Sequence, residues 1–405
     1  MTKTKKEPTL PRDFFKRALN VASYYGFQPF ENAIKGQEKG HASPRLKTGD
    51  HASIASVCFP AGSRLPEPLL FFYVNEHPRS LFEKTEDDQA ELNLEVVGTS
   101  KSIAEAILIK TTLSIFEENG VDDAEVILNG IGNRDSFTRF TRELSAHYRR
   151  HLNDMHAQCR HNFVKDVLRL LSCDNEDCRA LQGTAPRVMN FLNEAGRVHF
   201  REVLEYLERL GIPYAVKDSL FGPRDHYSKI VFEIRRTPTE AQKEAQKKKS
   251  EEHEEEPFAN KQKGYLLATG GRYDDLARRV TSRKDAAGVG ISLFYPRRLS
   301  RSRMKIETRK QPPKAYFVHI GTEAKLKSLL VLDLLRKARI SVHQAFHHDQ
   351  LSGQLISAEK LGIPYLLIMG QKEALEDTVI VRDIETRAQN TVSIPRLSLY
   401  LKSLA

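Results

Sequence analysis

Apolar residues in the first third of the chain recur with the spacings of alternating helices and strands. Residues 13–26 place them at helical spacing, which predicts a helix that stops at Gly26. Apolar runs at 69–74 and 92–97 predict two antiparallel strands joined by a polar loop. Residues 100–120 predict an amphipathic helix, and residues 123–130 predict a short strand after it.

The pattern changes twice beyond that point. Residues 137–212 carry helical spacings and few strand signals, and the run 230–234 then predicts a strand. From residue 315 onward, strand and helix patterns of similar length alternate and end in a hairpin and a helix. This alternation predicts a small α/β domain with a largely parallel sheet.

Charge separates these regions and narrows the choice of partners. The net charge is +10 with a pI near 9.3, which favours a polyanionic partner such as nucleic acid; solubility alone remains the other interpretation. Residues 237–257 hold a lysine block and then a glutamate block, which predicts an exposed insertion. Residues 294–314 are basic and end in Pro-Pro, and their later half predicts an interdomain linker.

Several classes of protein are disfavoured. No apolar run is long enough to span a bilayer, and the basic N-terminus lacks the apolar stretch of a secretory signal. Four cysteines in 405 residues suit a reducing compartment, so we expect a cytoplasmic protein without a membrane partner. Walker A, HExxH and GxSxG motifs are absent from the sequence.

Two clusters of potential metal ligands are interpreted as structural. Cys173 and Cys178 in CDNEDC have no second pair at zinc-site spacing, and Cys58 and Cys159 stand apart from them. The run His347–His348–Asp349 is explained by an exposed polar loop. We therefore predict no metal site.

Three stretches have the composition of a ligand site. TGGRYDDL (269–276) predicts a Gly-Gly turn entering a helix, where Arg272 and Tyr273 would offer a forked donor and a ring to a ligand. AAGVGISL (286–293) predicts a strand against which something packs closely, with Arg297 beyond it to bind phosphates. SLFGPRDHYSKIVFEI (219–234) places a polar cluster just before a strand.

These stretches, taken in their order along the chain, resemble those of histidyl-tRNA synthetases. GGRYDDL and AGVGISL look like the family's signature and the strand leading to its third class motif. Further matches are GNRDS (132–136), HFREVLEYLERLGIPY (199–214), DHYSKIVFE (225–233) and AEKLGIPYLLIMG (358–370). The likeness extends over most of the chain.

The resemblance implies an α+β fold and a homodimer. A class II synthetase core with an antiparallel sheet of roughly six to seven strands would carry a helical insertion and be followed by a small α/β anticodon-binding-like domain. The expected boundaries are 1–136 and 216–300 for the core, 137–215 for the helical insertion, 237–263 for the charged insertion, 301–314 for the linker and 315–405 for the last domain.

The resemblance also implies a reaction, in which histidine attacks the α-phosphate of ATP, with Mg²⁺, and the adenylate then passes to the 3′ end of tRNA. By position in the family motifs, Arg79 and Arg297 would bind ATP. The residues expected to bind histidine are Glu91, Glu95, Asp50, Gly270, Gly271 and Tyr273.

The chain departs from the family at several of these positions. KTGDH (47–51) replaces Arg-Pro-Glu-Gly-Thr, so a glutamate is missing unless Asp50 substitutes, and Glu91 replaces a glutamine. FYPR (294–297) replaces Gly-Leu-Glu-Arg, with Pro296 expected in the first turn of a helix. Gly222 stands in place of the catalytic arginine, although Arg224 falls on the same side of an extended chain and is the candidate catalytic residue.

Three functions follow from this balance. Each lost charged contact at a transition state costs about 3 kcal/mol, so a paralogue with weakened or lost histidine activation is favoured, binding tRNA or a protein partner and needing no cofactor. A divergent but working ligase that uses ATP and Mg²⁺ is the first alternative. The second is a regulatory subunit of ATP phosphoribosyltransferase, although such subunits generally lack an anticodon-binding domain.

Overall fold

The computed structural model describes residues 10, 12–34, 51–61, 65, 67–75, 89–173, 175–223, 226–236, 265–296, 299, 313–344 and 351–404. Within these residues the strands form two sheets. The strands of the first sheet are β1 (Gln28–Pro29), β2 (Leu69–Asn75), β3 (Gln89–Val97), β4 (Ala124–Gly132), β5 (Tyr214–Val216), β6 (Lys229–Arg236), β7 (Tyr265–Arg272) and β8 (Gly288–Pro296). Those of the second are β9 (Ala315–His319), β10 (Val342–Gln344), β11 (Tyr365–Met369), β12 (Thr378–Asp383) and β13 (Gln389–Ser393).

Helices cover both sheets, and several of them lie in the chain connection between β4 and β5. They are α1 (Phe14–Tyr24), α2 (Phe30–Ala33), α3 (His51–Cys58), α4 (Ile103–Glu118), α5 (Arg134–Arg150), α6 (Ala157–Lys165), α7 (Glu176–Thr184), α8 (Glu194–Arg209), α9 (Asp274–Thr281), α10 (Thr322–Lys337), α11 (Leu351–Lys360), α12 (Gln371–Leu375) and α13 (Ile394–Ser403). Short 3₁₀ segments lie at Leu152–Asp154, Val167–Ser172 and Val188–Phe191. None of these described helices is long and apolar enough to cross a membrane.

The first sheet has the order β1-β2-β3-β8-β7-β6-β4-β5 and is antiparallel from β2 to β4. The expected antiparallel core is therefore confirmed. Its two edges differ, because β1 pairs with β2 and β5 pairs with β4 in parallel. The connection from β4 to β5 contains the helices α5–α8, and such long crossovers allow a strand to return in the parallel direction.

The second sheet has the order β10-β9-β11-β12-β13. Its first three strands are parallel and its last three are antiparallel, ending in the predicted hairpin of β12 and β13. The alternation read from residue 315 onward thus gives the expected α/β arrangement. The short helix α12 was not predicted from the sequence.

The helix α4 is not amphipathic, contrary to the expectation for residues 100–120. Most of its side chains are buried, because it lies between the first sheet, α1, α8 and α10. Apolar residues of both sheets and of α4 join one continuous core. A helix covered on all sides is apolar all round. The apolar spacing of α4 was therefore wrongly interpreted as that of a helix with one exposed face.

The glycines of TGGRYDDL lie inside a strand and not in a turn. Gly270 and Gly271 are near the end of β7, and the helix α9 begins only at Asp274. Likewise, Pro296 is the last residue of β8 rather than part of a helix. The GG pair was taken for a turn because glycine weakens a strand, yet here it allows close approach from the neighbouring strand and from a ring.

Candidate functional site

One row of paired residues crosses the centre of the first sheet and defines the floor of the site. In order across the strands, the register aligns Phe71, Glu95, Gly290, Gly271, Val231 and Asn129. Paired residues of antiparallel strands point to the same face. This face therefore carries one carboxylate, followed by two positions without side chains.

The glycines of this row make room for the side chains beside them. A Cβ on Gly290 would lie 2.3 Å from Oε2 of Glu95, and one on Gly271 would lie 2.7 Å from the ring of Tyr227. Gly270 meets its neighbour instead, since its Cβ would lie 2.3 Å from the carbonyl oxygen of Gly290. Of the two glycines predicted to bind histidine, Gly271 leaves room for a side chain on this face, whereas Gly270 allows the neighbouring strand to approach closely.

Glu95 is buried and both of its oxygens are occupied. The Tyr273 hydroxyl donates to Oε2 at 2.9 Å, and Nε2 of His51 lies 3.2 Å from Oε1. The carboxylate is only 1% exposed, so these two contacts replace the water it would otherwise bind. The contacts hold a buried charge that would be costly if left alone.

His51 fills the space above Glu95. Its ring stacks on that of Tyr273 with centroids 4.1 Å apart and planes 14° apart, and its Nδ1 lies 2.6 Å from Nε2 of His226. A carboxylate only accepts hydrogen bonds, so Nε2 of His51 donates to Glu95. The contact at Nδ1 is within hydrogen-bond distance, so both ring nitrogens of His51 have a partner in the site.

The position of His51 follows from the helix it begins. It is the first residue of α3, whose buried face of Ile54, Ala55 and Cys58 joins a core with residues of α9. That core also contains Phe71 from the row and Tyr273. The imidazole is therefore held by packing of its own helix as well as by Glu95.

His226 is kept neutral by its surroundings. Burial lowers its pKa to about 3, and the neighbouring His51 and Arg279 act in the same direction. Burial also raises the pKa of Tyr227, and the nearby Glu95 and Glu91 raise it further. At neutral pH both side chains are thus uncharged and act through hydrogen bonding and packing.

An open cleft begins on the other side of His226. It encloses about 520 Å³, including space open to solvent, and is lined on one side by Gly132, Asn133 and Arg134. Gly222, Asp275 and Arg279 line it as well. The cleft brings two guanidinium groups next to the position where the family resemblance expects an arginine and the chain has glycine.

The structure brings together some of the predicted site residues. Glu95, Gly271 and Tyr273 form the floor and wall of the pocket, whereas Gly270 faces the other side of the sheet. The buried Glu91 lies four residues before Glu95 on the same strand. The positions of Asp50, Arg79, Arg224 and Arg297 lie outside the described residues. The described part of the site therefore contains residues expected to bind histidine and none of the arginines expected to bind ATP.

Arg272 does not face a ligand, and the expectation of a forked donor there is wrong. The residue is fully buried and its guanidinium donates to Glu105 at 2.7 and 2.8 Å and to Asp274 at 3.1 Å. It also donates to the carbonyl oxygens of Thr99 and Lys101. Its donors join β7 to α4 and to the start of α9.

His51 and His226 were missed as site residues. The signal that would have found His51 is its place in KTGDH, in the loop that aligns with a substrate-binding segment of the resembling family. His226 was quoted in the polar cluster before β6, but neutral histidines leave no charge pattern to follow. Only the fold shows that these two residues meet.

Comparison with known proteins gives one consistent family. The sequence model described as an anticodon binding domain matches residues 314–404. The histidine–tRNA ligase of Bacillus velezensis is 26% identical over 351 residues, which cover 83% of this chain and 76% of that protein. The histidine–tRNA ligase of Listeria monocytogenes is 26% identical over 366 residues, which cover 88% and 80%. The apo histidyl-tRNA synthetase structure from S. aureus aligns over 100% of both chains, with 19% identity and a TM-score of 0.46.

Proposed function

We propose that this chain, which belongs to the histidyl-tRNA synthetase family, binds tRNA but has weakened or lost histidine activation. The observation that carries the proposal is the position of His51. Glu95 and Tyr273, which the family resemblance assigns to the substrate histidine, bind a histidine side chain of the chain itself.

An internal imidazole competes strongly with a free one. A tethered group has an effective concentration in the millimolar range or above, and His51 is held further by the packing of α3. Free histidine would have to displace it and replace its contact with the buried Glu95. The apparent affinity then falls by the fraction of molecules in which His51 is out of the pocket.

The phosphate side of the reaction points the same way. Gly222 on the cleft wall has no side chain to donate to a developing charge, whereas the family has an arginine there by resemblance. Loss of one such donor lowers a rate by about two decades. A blocked pocket and a missing donor together explain why we expect little adenylate formation.

Binding of tRNA is supported by a different part of the chain. Residues 314–404 match the anticodon binding domain, and the similar proteins of Bacillus velezensis and Listeria monocytogenes are named histidine–tRNA ligases. The net charge of +10 would favour a polyanion. We propose that tRNA is retained as a ligand after histidine activation has declined.

The first experiment measures histidine-dependent exchange between ATP and pyrophosphate on the purified full chain. We expect a rate no higher than that without histidine. Robust exchange would sink the proposal and favour the working ligase instead.

A second measurement tests the pocket directly. Calorimetric titration should show that His51→Gly binds free imidazole, since the substitution leaves a cavity of that shape above Glu95. The wild-type chain and His151→Gly, which changes an exposed ring on the helical segment, should not bind it. A folded His51→Gly protein that ignores imidazole would contradict the assignment of the pocket.

The third experiment measures tRNA binding by fluorescence anisotropy at several salt concentrations. Affinity should fall steeply with salt, as the logarithm of the association constant drops in proportion to the number of phosphates contacted. No binding at low salt would contradict the proposal. Binding of the catalytic subunit of ATP phosphoribosyltransferase in that case would favour a regulatory subunit.

A further inference from the structure

The helical segment between β4 and β5 contains a cluster of three buried cysteines. Cys159 lies on α6, Cys173 directly follows the 3₁₀ segment Val167–Ser172, and Cys178 lies on α7. Their three sulfur atoms all lie within 4.8 Å of one another. The spacing of CDNEDC alone gave no sign of a third cysteine, because Cys159 comes from an earlier helix.

The distances suit a shared metal ion. Zinc binds thiolates at about 2.3 Å in a tetrahedron, which separates the sulfur atoms by about 3.8 Å. The Sγ atoms of Cys159 and Cys173 are 3.5 Å apart, well beyond the length of about 2.05 Å that a disulfide requires. Soft thiolate ligands select zinc over the hard cations magnesium and calcium.

The surroundings hold the cluster in shape. The side-chain amide of Gln182 on α7 donates to the carbonyl oxygens of Leu170 and Cys173 at 2.8 and 2.7 Å. These bonds fix the end of the 3₁₀ segment against the helix that carries Cys178. The cysteines are therefore positioned by hydrogen bonds outside the cluster.

One polar group beside the cysteines still lacks a hydrogen-bond partner. Tyr148 on α5 packs in the same small core and is fully buried, and its hydroxyl has no partner among the described residues. A zinc-bound thiolate is a much better acceptor than a thiol, and hydrogen bonds to metal ligands of this kind are common.

We propose that Cys159, Cys173 and Cys178 bind one Zn²⁺ ion that joins α6, the 3₁₀ segment and α7. Binding converts three thiols to thiolates with release of three protons, and leaves one position of the tetrahedron for a further ligand. The ion is structural, since the helices it joins have one to three turns and such helices are marginal alone. It stabilises a segment that is separate from the pocket containing His51.

The test is the zinc content of the full chain, purified without chelator from zinc-supplemented cells and measured by mass spectrometry of the metal. We expect about one zinc ion per chain in the wild type. Cys178→Ser should lose the zinc ion. Cys58→Ser should retain it, because Cys58 is equally buried but lies on α3, in a different core.

A second measurement does not depend on the folding of a variant. Wild-type protein stripped of metal and titrated with Co²⁺ should develop thiolate-to-cobalt charge-transfer absorption that saturates at one equivalent. Zinc-free wild type that also fails to bind Co²⁺ would overturn the proposal. So would a Cys159–Cys173 disulfide, detected as a mass lower by two hydrogens.

Discussion

The imidazole of His51 has two nitrogen atoms, and the site gives each a partner. Glu95 accepts from one and His226 lies within hydrogen-bond distance of the other, while Tyr273 covers the face of the ring. These contacts end at the carboxylate of Glu95, which is buried. At this scale the pocket is a complete hydrogen-bonded unit before any ligand arrives.

The neutral state of His226 makes stability depend on pH. Its folded pKa of about 3 is below the unfolded value near 6.5, so the unfolded chain binds the proton first as pH falls. The contribution is fully present above about pH 6.5 and is lost toward pH 3, at up to ~1.4 kcal/mol per pH unit. We expect urea unfolding of His226→Gln to show a smaller loss of stability between pH 7 and 5 than the wild type. The variant His151→Gln, in an exposed position, should keep the wild-type slope, and an unchanged slope in His226→Gln would contradict the assignment.

The floor of the pocket is sensitive to a single methyl group. Gly290→Ala would place a Cβ 2.3 Å from the Glu95 carboxylate, which must shift and lose its geometry with His51 and Tyr273. We expect a loss of about 1–3 kcal/mol in the free energy of unfolding, measured by urea denaturation. Gly183→Ala on α7 is the control, because nothing lies within 4 Å of its Cβ and alanine favours a helix. Equal free energies of unfolding for the two variants would contradict the prediction that Glu95 cannot move without loss of stability.

Two residues that the family resemblance assigned to the site lie together in the structure. Glu95 and Tyr273 were predicted from motif positions, and they meet at 2.9 Å. The occupant His51 was not predicted, since it belongs to a different helix and reaches the pocket only through the packing of α3 on α9. Motifs fix which residue types line a pocket, whereas what fills it depends on tertiary packing.

At the scale of elements, Arg272 joins strand β7 to the helices α4 and α9. Its partner Glu105 also accepts from His199 on α8 at 2.7 Å, so one buried carboxylate connects three elements. Burial raises the pKa of Glu105, but Arg272 and His199 more than offset this and lower it to about 2. The GGRYD motif thus serves the framework through its arginine and the pocket through its tyrosine.

Removing this arginine should be costly. Arg272→Ala leaves the buried Glu105 without its main cation, for which about 3–5 kcal/mol is typical, while Asp274 keeps Lys229 at 2.7 Å. Arg201→Ala removes an arginine from an exposed pair with Glu205 on α8 and should cost less than about 0.5 kcal/mol. Chemical denaturation of both variants at pH 7 measures the difference, and a loss below about 1 kcal/mol for Arg272→Ala would refute the structural role.

Element types were predicted better than their surroundings. The strand patterns at 69–74 and 92–97 correspond to β2 and β3. Runs of apolar, aromatic and β-branched residues favour strands, and this preference can be recognised from the local sequence alone. The nature of α4 was missed because its exposed-looking positions are covered by α10, which is distant in sequence. Hydrophobic periodicity shows which face of a helix packs against one core. It does not show that a second element, here α10, covers the opposite face.

At the scale of the molecule, the two sheets are connected by a buried polar network around Asp333 on α10. Lys110 of α4 donates to it at 3.2 Å, Arg336 at 2.9 Å, and the hydroxyl of Tyr25 at 3.4 Å. Gln344 of β10 donates in turn to the carbonyl oxygen of Tyr25 at 2.8 Å. Together with the shared apolar core, these bonds dock the second sheet and its helices against α1 and α4.

This docking predicts cooperative unfolding. The wild type should melt in one calorimetric transition. Asp333→Ala should melt at a lower temperature after losing about 3 kcal/mol, because it removes the carboxylate beside Lys110 and one of the two carboxylates beside Arg336. Glu143→Ala, from an exposed pair with Arg142, is the control and should leave the transition unchanged. Two separate transitions in the wild type would contradict a shared core.

The burial of α4 also has a consequence for the making of the protein. Roughly 200 residues separate the end of α4 from the α10 that covers it, and ribosomes add about 5–20 residues per second. For tens of seconds, therefore, each nascent chain carries an apolar helix whose cover has not yet been translated. We expect this helix to be the main site of chaperone binding during synthesis, and chains that stop before α10 to aggregate.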